Sequence, residues 1–187
     1  MPRGNCHEVL YRVSLILGLR QGELLGLRWA SVDLDGGHIA VREQLQRRMP
    51  GEGTGARLVL RGLKSDAAHR TIPLPSAQDS LRQRHGPTWN TEGFVFVSRK
   101  GAPLDGAHLT VAFKKIVVRA GLPPMRFHDL RHSAASFLGA DGVPVEVAKA
   151  ILGHTDVRLT LNLYRHVQPE EFDRAAAAME RRLGKLS

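Results

Sequence analysis

Residues 128–167 read HDLRHSAASFLGADGVPVEVAKAILGHTDVRLTLNLYRHV, and the rhythm of this stretch sets the class of fold. Three helical segments are predicted in it: HDLRHSAASFLGADG, the short VEVAKAILG, and a stretch entering Tyr164. His128, Arg131 and His132 are spaced by three and four residues, which places all three on one helix face. His154 follows a Leu-Gly turn, and Tyr164 lies ten residues further on.

Working outward, Leu109, Phe113, Ile116 and Val117 recur at helical spacing until Gly121, Pro123 and Pro124 stop the pattern. FVFV, residues 94–97, is a short apolar run bounded by SRKGAPLDG. Further upstream the period changes. Residues 38–46, RLVLRGL and HRTIPLP are β-branched and alternating, and they predict a small antiparallel sheet with GEGTGA and KSDAA as turns. Residues 7–17 predict a helix through Leu10, Val13, Ile16 and Leu17, with Gly18 placed to end it in the left-handed conformation. A second short helix is expected through GELLGLRW. From Pro169, Glu170, Glu171 and AAAAMERRL read as a last amphipathic helix with acids at its N-terminus, as the helix dipole favours. The expected fold is mainly α with a small antiparallel β-sheet, an α+β domain over 1–187 with its core at about 7–168 and a C-terminal helix at about 169–187.

Composition narrows the partners. Hydrophobic residues at 42% and charged residues at 24% fit a globular chain that buries a core, not a disordered one. Twenty-seven Lys+Arg against 18 Asp+Glu give a formal charge of +9, which favours a polyanion because neutralised phosphates release counterions. The single cysteine, Cys6, excludes an internal disulfide framework and points to a reducing compartment. No apolar run approaches the roughly 20 residues of a membrane span, so no membrane partner and a cytoplasmic location are expected.

Taken singly, the polar residues are ambiguous. HxxR occurs on ordinary polar helix faces, a lone tyrosine is most often a half-buried aromatic, and Arg20 three residues before Glu23 is the spacing of a common surface ion pair. That carboxylate is also placed to orient the guanidinium through a charge-assisted pair. In order, however, GLRQGELLGLRW, LKSDAAHRTIPLP, HDLRHSAAS and LGHTDVRLTLNLYRHV resemble the motif series of tyrosine recombinases of the phage-integrase type, over residues 18–167.

The resemblance implies the tyrosine recombinase catalytic-domain fold and site-specific DNA recombination through a 3′-phosphotyrosine intermediate. It implies six active-site positions, Arg20, Lys64, His128, Arg131, His154 and Tyr164, with Glu23 and His132 in support. Lys64 is selected over Arg61 because it stands six residues before an arginine, Arg70, as the family's hairpin lysine does. No metal and no cofactor are implied. The implied partner is double-stranded DNA, with self-association as a tetramer on DNA and a monomer when free. Nineteen residues precede Arg20, so the family's N-terminal helical domain is expected to be absent from this chain.

Such a residue set suits phosphodiester exchange. The chemistry needs a nucleophile, positive charge around a developing phosphorane and an acid for the departing 5′ oxygen. Three other classes compete. A type IB topoisomerase shares the phosphotyrosine chemistry. A zinc hydrolase would use His128, His132 and His154, although Asp129 stands where a glutamate base is usual and Arg131 places a positive charge among the ligands. A non-catalytic helix-turn-helix module would use VEVAKAILGHTDVRLTLNLY with Gly153 at the turn, leaving Arg20 and Lys64 without a role.

Overall fold

Leu10, Val13 and Leu17 bury one stripe of helix α1 (Cys6–Leu17), and Gly18 ends it at φ 58°. The computed structural model describes residues 6–48, 51, 57–63, 68–74, 81, 93–98, 100–154 and 158. Lys64, Tyr164 and the helix expected from Pro169 lie outside the described residues.

Helix α2 (Gln21–Gly26) stops sooner than the expected helix through Trp29. The cause is tertiary. Val95 donates its N–H to the Leu27 carbonyl at 2.9 Å, and Trp29 donates to the Gly93 carbonyl at 3.1 Å, so the FVFV segment captures groups a longer helix would use internally. Leu27 and Trp29 are thereby buried, with a 3₁₀ turn at Trp29–Ser31. FVFV itself forms no strand. Phe94 bridges Arg28 and Val97 bridges Pro103, while Val95 and Phe96 are fully buried.

Among the described residues the sheet region holds five short strands: β1 (Val32–Asp33), β2 (His38–Val41), β3 (Glu43–Arg47), β4 (Leu58–Gly62) and β5 (Arg70–Pro73). The expected single strand over 38–46 divides at Arg42, giving two small antiparallel sheets instead of one. In the order β1-β2-β5, Ile39 pairs with Val32 and Ile72; in the other sheet, Leu45 pairs with Leu60. The division follows from the partners. β4 and β5 are separated by residues 63–69, so the two halves of one extended run are paired by two different strands and the ladder breaks between them.

Helix α3 (Gly106–Arg119) begins at Asp105, whose carboxylate accepts from Ala107 N at 3.0 Å and from Arg47 at 2.9 and 2.8 Å. One side chain thus caps the helix and ties it to β3. Leu109, Phe113 and Val117 face the core, where Tyr11, Phe113 and Phe127 form an aromatic cluster with centroids 5.4–6.1 Å apart. Helices α4 (Asp129–Ala140) and α5 (Val145–Leu152) complete the described chain. α4 packs on α1, α5 on α4 and β5, and α2 on β3. The architecture is therefore mainly α with small antiparallel sheets, as expected. No helix among the described residues is long and apolar enough to cross a membrane.

Candidate active site

The last carbonyls of a helix have no intrahelical donor and form the negative end of its dipole. At the end of α5, three successive carbonyls are each met by a different guanidinium. Arg70 Nε donates to Ile151 O at 2.6 Å, Arg131 Nη2 to Leu152 O at 2.6 Å, and Arg20 Nη2 to Gly153 O at 3.0 Å. Gly153 makes this possible by turning the chain at φ 65°; a Cβ there would lie 2.7 Å from Arg70 Nη1. The cations come from three elements brought together by the fold: the start of α2, the start of β5 and the first turn of α4.

Arg131 also donates from Nη1 to Gly18 O at 2.7 Å, so one buried side chain joins the ends of α1 and α5. These bonds use two of its five N–H groups. Burial, then the charge of Arg20, pushes its pKa down to about 9, and it remains protonated at neutral pH.

Glu23 is the anion of the cluster. Its side chain is 1% exposed. Oε1 accepts from Arg20 Nη1 at 2.8 Å and Oε2 from the Arg20 backbone N at 3.0 Å. Arg70 grips the same carboxylate from the other side, with Nη2 to Oε2 at 2.8 Å and Nη1 to Oε1 at 3.4 Å. Burial alone would raise the Glu23 pKa, but the hydrogen bonds and charge of Arg70, then the bonds from Arg20, outweigh it and hold the group below its ordinary value. Three guanidiniums and one carboxylate leave this pocket strongly positive.

His154 follows Gly153 and is buried, with its backbone N bonded to Lys149 O at 3.1 Å. Burial, then the charges of Arg131, Arg20 and Arg70, pushes its imidazole down to about 4. It is neutral at pH 7. His128 stands at the N-cap of α4, one residue before the helix on whose face it was expected. Its ring meets that of His132 edge-on, with centroids 4.9 Å apart at 88°. Partial burial, then the charges of His132 and Arg131, lowers its pKa against the opposing effect of Asp129. His132 Nδ1 is buried with no hydrogen-bond partner among the described residues.

The structure thus brings Arg20, Glu23, Arg131 and His154 into one cluster, and sets His128 against His132 at the start of α4. Lys64 and Tyr164 are not described. Among the described residues, no group of three or more His, Cys, Asp or Glu is placed to hold a metal ion, so the zinc-hydrolase reading lacks its ligand set there. The residue that sequence reasoning missed is Arg70, which served only to mark Lys64. Its signal was present in the alternation of β5, where Arg70 shares the inward face with the buried Ile72.

Comparison with known proteins bears on the family and the fold. The family model described as Phage integrase family matches residues 5–171. The chain is 30% identical over 186 residues to a XerC-like tyrosine recombinase of Caldanaerobacter subterraneus subsp. tengcongensis, covering 90% of this chain and 48% of that protein. It is 30% identical to the tyrosine recombinase XerC of Xylella fastidiosa over 169 residues, 89% of this chain and 50% of that one. The chain spans about half the length of the curated relatives it matches. In structure it is similar to the Tn1549 transposon integrase in complex with circular intermediate DNA, at a TM-score of 0.77 and 25% identity over 97% of this chain and 61% of that one. The crystal structure of XerA recombinase shares the fold at a TM-score of 0.64 and 21% identity, over 94% of this chain and 58% of that one.

Proposed function

The chain belongs to the phage integrase family, and on that premise we propose that it is the catalytic domain of a site-specific DNA recombinase, cutting and rejoining strands through a 3′-phosphotyrosine link. The observation that carries this reading is the convergence of three guanidiniums on the end of α5, beside a neutral histidine.

Tyr164 is the nucleophile. Its phenolic oxygen forms the new bond to phosphorus as the bond to the 5′ oxygen breaks. With a reference pKa of about 10 the phenol must give up its proton during attack, and His128, neutral because its pKa is depressed, accepts it. Lys64 donates a proton to the departing 5′ oxygen. Arg20 and Arg131 hold the non-bridging oxygens, for which planar guanidinium is suited. His154 donates one further hydrogen bond there. One phosphodiester is exchanged for another, so no water is consumed, no cofactor is called for, and a second strand's 5′-hydroxyl reverses the step. The substrate is double-stranded DNA, on which the protein assembles as a tetramer from free monomers; such a substrate places its work in the cytoplasm.

Incubation with a nicked duplex carrying a candidate site, in which the cleaved fragment diffuses away, tests the reading on a denaturing gel. A covalent protein–DNA band is expected. Binding without a covalent band would instead favour the helix-turn-helix reading.

A further inference from the structure

We propose that Arg70 is a positioning residue: it grips Glu23 so that Arg20 keeps its charge and orientation for the DNA phosphate, and it anchors the strand following Lys64 to the same frame. This inference rests on the catalytic reading above. Arg70 and Arg20 share one carboxylate but differ in access. Arg70 commits four of its five N–H groups to protein acceptors and its side chain is 6% exposed, whereas that of Arg20 is 39% exposed, so of this pair Arg20 is the one open to a ligand.

Charge explains why two arginines are needed. A buried carboxylate paired with Arg20 alone would cancel the charge that Arg20 brings to the phosphate. With Arg70 added, the trio carries a net charge of +1, from two guanidiniums and one carboxylate. Geometry explains why the second is an arginine. Arg70 contacts both Glu23 oxygens, Ile151 O at 2.6 Å and Ala68 O at 2.9 Å, four acceptors that one ammonium would not span. Pairing with Val41 fixes its place in β5, and Gly153 closes over its guanidinium. The Arg70 side chain thus joins Ala68, at the start of the segment entering β5, to the helix end whose carbonyls Arg20 and Arg131 also meet.

A purely structural ion pair would alter stability without altering the work done by each folded molecule. Arg70→Gln and Arg70→Lys, made in the full chain, are therefore read in two ways: the ¹⁵N order parameter of Arg20 Nε–H in the free protein, and the single-turnover cleavage rate against DNA affinity. The expected result is a more mobile Arg20 and cleavage slowed on the order of tenfold to a hundredfold, with Kd changed less than about twofold. Arg70→Lys should recover part of the rate by restoring charge, and Arg20→Ala with Arg70→Gln should be no slower than Arg20→Ala alone. If Arg70→Gln does not fold, Arg70→Lys is judged by the same two readouts. Wild-type rigidity of Arg20 in a folded Arg70 variant, or a wild-type cleavage rate, overturns the inference. A wild-type chain that cleaves no DNA would defeat the catalytic reading and leave the Arg20 order parameter to decide this one.

Discussion

At the residue scale, the division among the arginines determines what each substitution should do. Arg20→Ala removes a half-exposed guanidinium that the proposed mechanism sets against the phosphate, so cleavage should slow on the order of a hundredfold with affinity affected far less, as when an oxyanion donor is removed. Equal losses in rate and affinity would reduce Arg20 to an ordinary phosphate contact. His154 makes a separate prediction about pH. Its folded pKa of about 4 lies below the ordinary 6.5, so between those values the unfolded chain takes up a proton that the folded chain refuses. Stability should therefore fall as pH drops through that window, by about 3 kcal/mol in all. Glu23 acts lower: the stability from its depressed pKa is present above 4.5 and lost as pH falls through its folded value. Denaturant midpoints between pH 7 and 4.5 should slope for the wild type and much less for His154→Gln; equal slopes would contradict the assignment. The sequence made Arg20, Glu23, Arg131 and His154 legible because their motifs are local. It left Arg70 unread because its four acceptors lie on three segments distant from one another in the chain, and only the fold brings them together.

At the element scale, glycines report how closely the pieces pack. A Cβ on Gly26 would lie 2.7 Å from Leu45 N and 2.8 Å from Gln44 Cα, backbone atoms of β3 that cannot swing aside. Gly26→Ala should cost about 1–3 kcal/mol in denaturant unfolding, the usual range for overpacking. Gly142 and Gly153 form a matched pair, with φ 70° and 65°. Gly142 has open space around its Cβ position, so its alanine variant should cost about 1 kcal/mol from backbone strain alone. Gly153→Ala adds a collision with Arg70 and should cost measurably more; equal costs would show that the turn at the end of α5 is loosely packed. Helices α1, α3, α4 and α5 were legible because each carries its own apolar period and stop. The end of α2 and the break at Arg42 were not, since bonds from residues 93–95 set the first and two separate partner strands set the second.

At the scale of the whole molecule, the +9 charge and the positive pocket predict DNA binding that weakens steeply with salt. At a slope near −0.9 per phosphate contact, a log–log slope of about −4 to −6 is expected by fluorescence anisotropy, with a monomer in light scattering when DNA is absent. Site-selective binding by a stable free tetramer would contradict this. The family was legible at this scale because four motifs occur in one order, whereas the convergence of three arginines on one helix end exists only in the folded chain. Covalent exchange requires one nucleophilic tyrosine, and the sequence offers only Tyr11 and Tyr164. Its most direct test is peptide mapping by mass spectrometry of the adduct trapped on a nicked duplex, alongside the Tyr164→Phe variant. A 3′-phosphonucleotide on the Tyr164 peptide, lost in Tyr164→Phe, is the result predicted. An adduct that persists in Tyr164→Phe, or cleavage that leaves a free phosphate and no protein-linked nucleotide, would contradict the account.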